Sequence, residues 1–352
     1  MKAIRTAIIG YGRSGRNIHT HLLRQLPDLY QIVAYVESDP ERRAMIKAEM
    51  NIDAENRIES LLERDDLDLV VVASYSDDHA ENSKTLLRKG MTVLSEKPAA
   101  KDDQEFLSVV QTAKEHEASY HVFQQYRFSP TYRKIKDVIA SGKLGRIVQI
   151  SLNYDNFARR WDWQTIHNRT AGSLLNTGPH PVDHALDLMG FPEDVSVVCK
   201  MDRAHTSGDG EDYVKMLLLS PGAPVADIEI SSCNAYASDT FLVQGTSGTL
   251  HGTAKELAWQ YYLETENEPR PLIVSSLKNE KGEPIYCREK LVTHQETWQA
   301  SEEDNNAKGL AFYRAYYKTL TENAPFLVTL DQVRLQLQVI GKAHQQNAEL
   351  FT

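Results

Sequence analysis

Cysteine is scarce in this chain: Cys199, Cys233 and Cys287 are the only three, and they stand far apart. They form neither a Cys-x-x-Cys pair nor an even-numbered disulfide framework, so a disulfide-stapled fold is excluded and a reducing, cytoplasmic setting is expected. Long apolar runs are missing too. No stretch reaches membrane-spanning length, and Met1-Lys2-Ala3-Ile4-Arg5 leads into no apolar region of signal-peptide length, so neither membrane insertion nor export is expected. Positive charge is not in excess either. Lys and Arg number 39 against 49 Asp and Glu, and the net charge of -10 argues against a surface built for nucleic-acid phosphates. Internal repeats and low-complexity tracts are absent. What remains is the composition of an ordinary soluble protein whose 352 residues exceed a typical single core and fit two domains.

The first strong pattern is a short apolar strand, Ile4 to Ile9, running into Gly10-Tyr11-Gly12-Arg13-Ser14-Gly15. Ile18, Leu22, Leu23 and Leu26 follow at helical spacing, so the glycines lie between a strand and a helix. In that context they read as a dinucleotide fingerprint. The first glycine makes the tight turn, the second lets the backbone approach a pyrophosphate, and the third permits close helix packing. The residues between them, Tyr11, Arg13 and Ser14, are carried as cofactor contacts. The next strand ends at Glu37, 22 positions after Gly15, where the fingerprint places an acid on the adenosine ribose at a spacing of roughly 20. A carboxylate there accepts from the 2′-hydroxyl and repels a 2′-phosphate, which favours NAD; Arg42 and Arg43 keep NADP as the minority reading.

Asp39 caps a helix with Pro40 at its first position, and Leu69 to Ala73 forms another buried strand. Its turn holds Ser74, Asp78 and His79: Ser74 and His79 are candidate cofactor contacts, Asp78 equally an N-cap. A helix from about His79 to Lys89 ends at Gly90, and the strand Met91 to Leu94 runs into Ser95-Glu96-Lys97-Pro98. Asp102 and Glu105 have capping-box spacing before a further helix, and Tyr120 to Phe123 reads as the next strand. Such alternation implies a doubly wound parallel sheet, which binds ligands at the carboxyl ends of its strands. A lysine at a strand end is by default a solvated charge, but Lys97 stands at one of those ends.

After Phe128 the character changes. Ser129-Pro130 opens one helix, another follows His180, and from about Val195 the runs Val195 to Met201, Tyr213 to Leu219, Val225 to Ser231 and Phe241 to Gln244 have strand periodicity. A largely antiparallel sheet with one face under helices is expected. Glu264 to Arg288 reads as an exposed hairpin or loop, and Leu310 to Leu320 and Leu330 to His344 as helices. Between the halves, Tyr154, Asn156, Arg159, Arg160, Trp161, Trp163, His167 and Arg169 form a loop-like cluster of aromatics and donors. These suit either a polyhydroxylated ligand or an interface. Arg127 either reaches the cleft or braces a helix end. His180, Asp183 and His184 share a helix face, but no further ligand is evident at a convincing spacing, so no metal is expected.

The ordered set Gly10 to Gly15, Glu96-Lys97-Pro98, Tyr126 to Pro130, Gly172 to His180 and Gly245-Thr246-Ser247-Gly248 resembles the Gfo/Idh/MocA oxidoreductases, a family that includes glucose-fructose oxidoreductase and inositol dehydrogenase. The resemblance spans nearly the whole chain. It implies an α/β Rossmann domain over residues 1–125 and an α+β substrate-binding and oligomerisation domain over 126–352 with an open sheet, the last helix packing back on the first domain. It implies an NAD-dependent dehydrogenase acting on a secondary hydroxyl of a sugar, cyclitol or sugar derivative; separately, a sheet face left exposed in the second domain leads to the expectation of a homodimer or homotetramer. In that pattern Lys97 resembles the active-site lysine, His180 the histidine that exchanges the hydroxyl proton, and Glu96 lies beside the cofactor. Asn176 stands where the family often has aspartate; an amide only hydrogen-bonds, so it would orient substrate rather than complete an Asp-His relay. Arg127, Tyr154, Trp161, Trp163 and Asp183 are carried as substrate-side residues, Asp183 as a partner behind the histidine. Two alternatives stay open: a glycosidase that reduces and reoxidises tightly held NAD within its cycle, and a nonenzymatic sugar or dinucleotide sensor.

Overall fold

The computed structural model describes residues 2–236, 238–301 and 306–351. Its first sheet takes strands β1 (Ile4–Ile9), β2 (Tyr30–Val36), β3 (Leu69–Val72), β4 (Val93–Ser95) and β5 (Tyr120–Val122) in the order β2-β1-β3-β4-β5. Every neighbouring pair is parallel. Parallel strands are covered on both faces, which is why β3 is an unbroken apolar run buried along its whole length. The connections are α1 (His21–Arg24), entered through a π-helical turn over Gly15–Thr20, α2 (Pro40–Met50), α3 (His79–Leu87) and α4 (Asp103–Glu115). Asp39 caps α2 by accepting from the amides of Glu41 and Arg42. At α4 Asp102 accepts from the Glu105 amide at 2.8 Å, but the Glu105 carboxylate returns to the amide of Lys101, one residue before the expected cap.

The second sheet has eight strands: β6 (Ile147–Asp155), β7 (Ser196–Asp202), β8 (Tyr213–Leu219), β9 (Val225–Ser231), β10 (Phe241–Gly245), β11 (Gly248–Gly252), β12 (Glu256–Tyr262) and β13 (Thr293–Gln299). They run β13-β12-β11-β10-β6-β9-β8-β7. All pairs are antiparallel except β6 with β9. Two results depart from the sequence reading. Tyr154 belongs to the central strand β6 rather than to a loop, and β11 to β13 extend the sheet beyond the expected runs. The edge strand β13 alternates only between exposed and half-buried positions, so its sequence carries no apolar periodicity.

Helices α5 (Pro130–Ala140), α6 (Ser173–Asn176), α7 (Pro179–Leu188), α8 (Ala307–Glu322) and α9 (Leu330–Gln345) are the remaining α-helices among the described residues. Ile135, Leu186 and Ile340, from α5, α7 and α9, cover one face of the second sheet over Ile150, Met216 and Val243. The other face leaves Val148 and Val198 exposed. The final helices also reach the first sheet: Phe312 and Tyr313 of α8 share a core with Ile8, Tyr35 and Phe123, while Val333 and Leu337 of α9 pack with Phe106 and Tyr120. No helix among the described residues is long and apolar enough to cross a membrane.

Candidate active site at the carboxyl edge of the parallel sheet

The glycine turn shows which glycines the protein itself needs. Gly10 has φ +90° and a Cβ there would lie 2.5 Å from the Ala73 carbonyl oxygen; at Gly15 a Cβ would lie 1.9 Å from that of Gly10. Gly12 differs. Its nearest neighbour would be Arg42 Nη1 at 3.7 Å, so the smallest side chain at this place leaves a surface open. An open backbone beside a helix start, whose first amides lack intrahelical acceptors, fits a pyrophosphate. Glu37 is buried, with one carboxylate oxygen accepting from the Tyr11 amide at 2.7 Å and the other from the Asp39 amide at 3.0 Å. Arg42 Nη1 stands 3.8 Å from the same carboxylate.

Around this turn the expected contacts divide. Arg13 is exposed, Ser14 makes no side-chain cap, and the Ser74 amide lies 3.0 Å from the Cβ position of Gly10, so all three border the turn. The Tyr11 ring is turned inward instead: its hydroxyl donates to Glu49 at 2.8 Å, and burial raises its pKa to about 12. The cofactor contact expected of His79 is corrected. Its ring nitrogens lie 2.8 Å from the Pro98 carbonyl oxygen and 3.2 Å from that of Ser74, so the imidazole ties two loops together. Asp78 makes no side-chain cap of α3.

At the end of β4, the Glu96 carboxylate also points into the protein, against expectation, lying 3.1 Å from His19 Nε2 and accepting from the Lys97 amide at 3.0 Å. Burial opposes its ionisation, but His19 and Lys97 outweigh that and hold its pKa below the ordinary value. His19 Nδ1 lies 2.6 Å from the Tyr313 hydroxyl, which anchors this chain of contacts to α8. Lys97, followed by a cis peptide bond to Pro98, reaches across to the second sheet's helices and donates to the Asn176 carbonyl oxygen at 2.7 Å. Burial pulls its ammonium pKa down; Glu96 opposes this, while Arg13 and Arg160 add to it.

His180, at the second position of α7, is stacked on Tyr126 with ring centroids 3.8 Å apart, and its Nδ1 has no hydrogen-bond partner. Burial, reinforced by Lys97, His184 and Lys308, holds its pKa well below 6.5, so the imidazole is neutral at pH 7. The Asn176 Oδ1 accepts from Gln164 Nε2 at 3.0 Å, and Gln164 Oε1 accepts from Arg160. That fixes the amide so that Nδ2 is left to donate. Lys97 is thus joined to Asn176, four residues before a neutral His180 whose titration it depresses, at the carboxyl edge of the sheet that also carries the glycine turn.

Arg127 and Asp183 are corrected as substrate contacts. The guanidinium makes two bonds of 2.6 Å to the Asp183 carboxylate, reaches Leu327 and Gln332 and stacks on Phe191, with both charged groups 2% exposed. Arg127 is the brace of the two readings left open for it. Trp161 is 83% exposed. Trp163 packs edge-on against Tyr75, which lies under the Arg169 guanidinium, and Arg169 pairs with Asp77 at 2.6 Å. The segment 156–170 thus folds over the end of β3.

Tyr154 lines a cavity of about 920 Å³ together with Tyr126, Thr177, His184, Lys255 and Lys308. Lys97 and His180 are not in its wall, because Tyr126 intervenes. The Lys308 ammonium sits 3.9 Å from the Tyr126 ring centre while His180 stacks on the same ring, so the tyrosine is sandwiched between them. The sequence reading did not single out Gln164 or Lys308 as site residues. Nothing local marks them; each reaches the site only through the folding of a distant element.

Two family models match the chain: "Oxidoreductase family, NAD-binding Rossmann fold" over residues 4–124 and "GFO/IDH/MocA C-terminal domain" over residues 132–251. An uncharacterized oxidoreductase of Escherichia coli K12, YhhX, is 24% identical over 97% of this chain and 96% of its own. The 2,7-anhydro-N-acetylneuraminate hydratase of Mediterraneibacter gnavus is 27% identical over 71% of this chain and 67% of its own. The Bacillus subtilis scyllo-inositol 2-dehydrogenase (NADP(+)) IolW is 28% identical, over 58% of this chain and 57% of its own. Among solved structures, an NAD-binding protein from Listeria innocua superposes with TM-score 0.77 at 20% identity, covering 99% of each chain. GenD2 from gentamicin A biosynthesis, in complex with NAD, gives TM-score 0.76 at 16% identity, covering 99% of this chain and 95% of its own.

Proposed function

The chain belongs to the GFO/IDH/MocA oxidoreductase family, with an NAD-binding Rossmann fold, and from that premise we propose that it is a dehydrogenase acting on a secondary hydroxyl of a sugar, cyclitol or related derivative. The observation that carries this reading is the junction of Lys97, at the carboxyl end of a strand in the sheet that holds the glycine turn, with Asn176, four residues ahead of a buried, neutral His180. The bound dinucleotide would supply the hydride acceptor. His180 receives the hydroxyl proton at a ring nitrogen, and its low pKa keeps it in the form that can accept one. Lys97 donates to the same oxygen and steadies its developing charge, while Asn176, held by Gln164, orients a neighbouring hydroxyl.

NAD is the cofactor this reading favours, because the Glu37 carboxylate closes the end of β2 beside the glycine turn. Arg42 is the group that would serve a 2′-phosphate, and a relative named for NADP(+) keeps that comparison in the test. An absorbance screen with NAD and NADP against sugars, inositols and sugar acids should find turnover with NAD, and a marked NADP preference would overturn the role of Glu37. On the substrate so found, His180→Ala and Lys97→Ala should each lower kcat by about 10²- to 10⁴-fold with dinucleotide binding retained. Unchanged turnover would remove both assignments.

The hydratase among the relatives favours a second reading, in which tightly held NAD is reduced and reoxidised within one cycle and no net redox change appears. Product formation without added dinucleotide, and without accumulation of reduced cofactor, distinguishes it.

A further inference from the structure

Three ligating side chains other than Lys97 and His180 converge in a second cluster. His167 lies in the short turn His167–Arg169, Glu211 two residues before β8, and His344 near the end of α9; their ligand atoms lie within 4.8 Å of one another. Each has a buried atom without a hydrogen-bond partner: Nδ1 of His167, Oε2 of Glu211 and Nε2 of His344. His344 Nε2 is 3.9 Å from Glu211 Oε1, beyond hydrogen-bond range. Glu211 is 1% exposed, and its Oε1 is engaged by the Leu174 amide at 2.7 Å. A buried carboxylate facing two imidazoles without bonding either is an expensive arrangement unless something else joins them.

We propose that this triad is a divalent transition-metal site, bound through His167 Nδ1, the Glu211 carboxylate and His344 Nε2, with zinc the ion its donor set suits. Two imidazoles and a carboxylate form a recurrent zinc set, with water as the fourth ligand. Bonds of about 2.0–2.2 Å require ligand atoms roughly 3.3 Å apart, so binding draws the two histidines inward by about 1 Å. The surroundings are built for this. Phe351 stacks on His167 at 3.9 Å and meets His344 edge-on at 5.5 Å, giving both rings an apolar wall. Gly172 lets the carboxylate approach, since a Cβ there would lie 2.3 Å from Glu211 Oε2.

The ion acts as a brace. It ties α9 to the turn that carries Arg169 onto Asp77, and to Glu211, whose carbonyl and carboxylate hold the amides of Ser173 and Leu174 at the start of α6. Asn176 ends that helix. The site stands independently of the proposed reaction, and its test reads metal rather than turnover.

Full-length protein stripped with EDTA and dialysed would be titrated with zinc chloride by calorimetry, and with cobalt(II) by visible absorption. The expected result is one zinc ion per chain, a rise in melting temperature with zinc, and the ligand-field bands of low-coordinate cobalt. His344→Ala and His167→Gln should each weaken zinc binding at least tenfold, the least that losing even an outer-shell partner of a ligand costs, and abolish the cobalt bands. Both variants are first checked by circular dichroism in EDTA; if one is unfolded, the other decides. Absence of stoichiometric binding to the wild type, or undiminished binding in a folded variant, overturns the proposal.

Discussion

A guanidinium whose donors face a carboxylate, a carbonyl and an amide oxygen has nothing left for a ligand, and Arg127 is in that position. Its value is structural: it joins the start of α5 to α7 and to the capping residue Gln332 of α9. Arg127→Met leaves Asp183 buried and alone, and should lower stability by about 3–5 kcal/mol in urea unfolding. Arg127→Met with Asp183→Leu should recover much of that loss, because no unpaired charge remains. A double variant as unstable as the single one would contradict the pairing argument. The same logic separates Glu96 and His79, whose polar atoms are taken up within the first domain and its loops, from Lys97, which reaches across to the Asn176 carbonyl, and His180, whose Nδ1 is left without a partner. Charged residue types in a motif are visible in sequence, but the side toward which each turns depends on partners as remote as His19 or Pro98.

At the scale of elements, the glycine turn gives a graded expectation. Gly12→Ala meets only the far end of the flexible Arg42 side chain, so the chain should fold with little change in melting temperature. Its dinucleotide affinity should fall at least tenfold, because the added methyl occupies the surface a pyrophosphate approaches. Gly10→Ala and Gly15→Ala place a methyl against main-chain oxygens and should compromise folding itself. Fluorescence titration with NAD beside a thermal melt measures both effects. The turn was legible because strand, glycines and helix are consecutive. β6 was not, although it lies at the centre of the second sheet, because its ladder partners β9 and β10 are far along the chain.

For the molecule as a whole, the last two helices join cores on both sheets, so acid should act on the assembly rather than on one loop. Burial holds His121 down to about 4 and His184 to about 3, whereas both take protons near 6.5 in an unfolded chain. Between those values the unfolded chain binds more protons than the folded one, so stability present above pH 6.5 is lost as pH falls. Each group contributes a slope of up to about 1.4 kcal/mol per pH unit. Urea midpoints should therefore drop between about pH 7 and about pH 5, and His121→Phe should flatten the drop. An equal drop in that variant would assign the acid sensitivity elsewhere.

The sequence by itself determined the fold class and the strands and helices of the parallel sheet. Apolar periodicity, the Asp39 and Asp102 caps and the steric demands of Gly10 and Gly15 act over a few residues and need no distant partner. Only the tertiary structure decided which charges neutralise one another. It turned Arg127 and Asp183 into a buried pair, set Tyr126 between His180 and Lys308, and brought His167, Glu211 and His344 together from three separate elements. Such contacts close long stretches of chain, 56 residues even for Arg127 with Asp183, and no local pattern encodes which side chains are brought face to face.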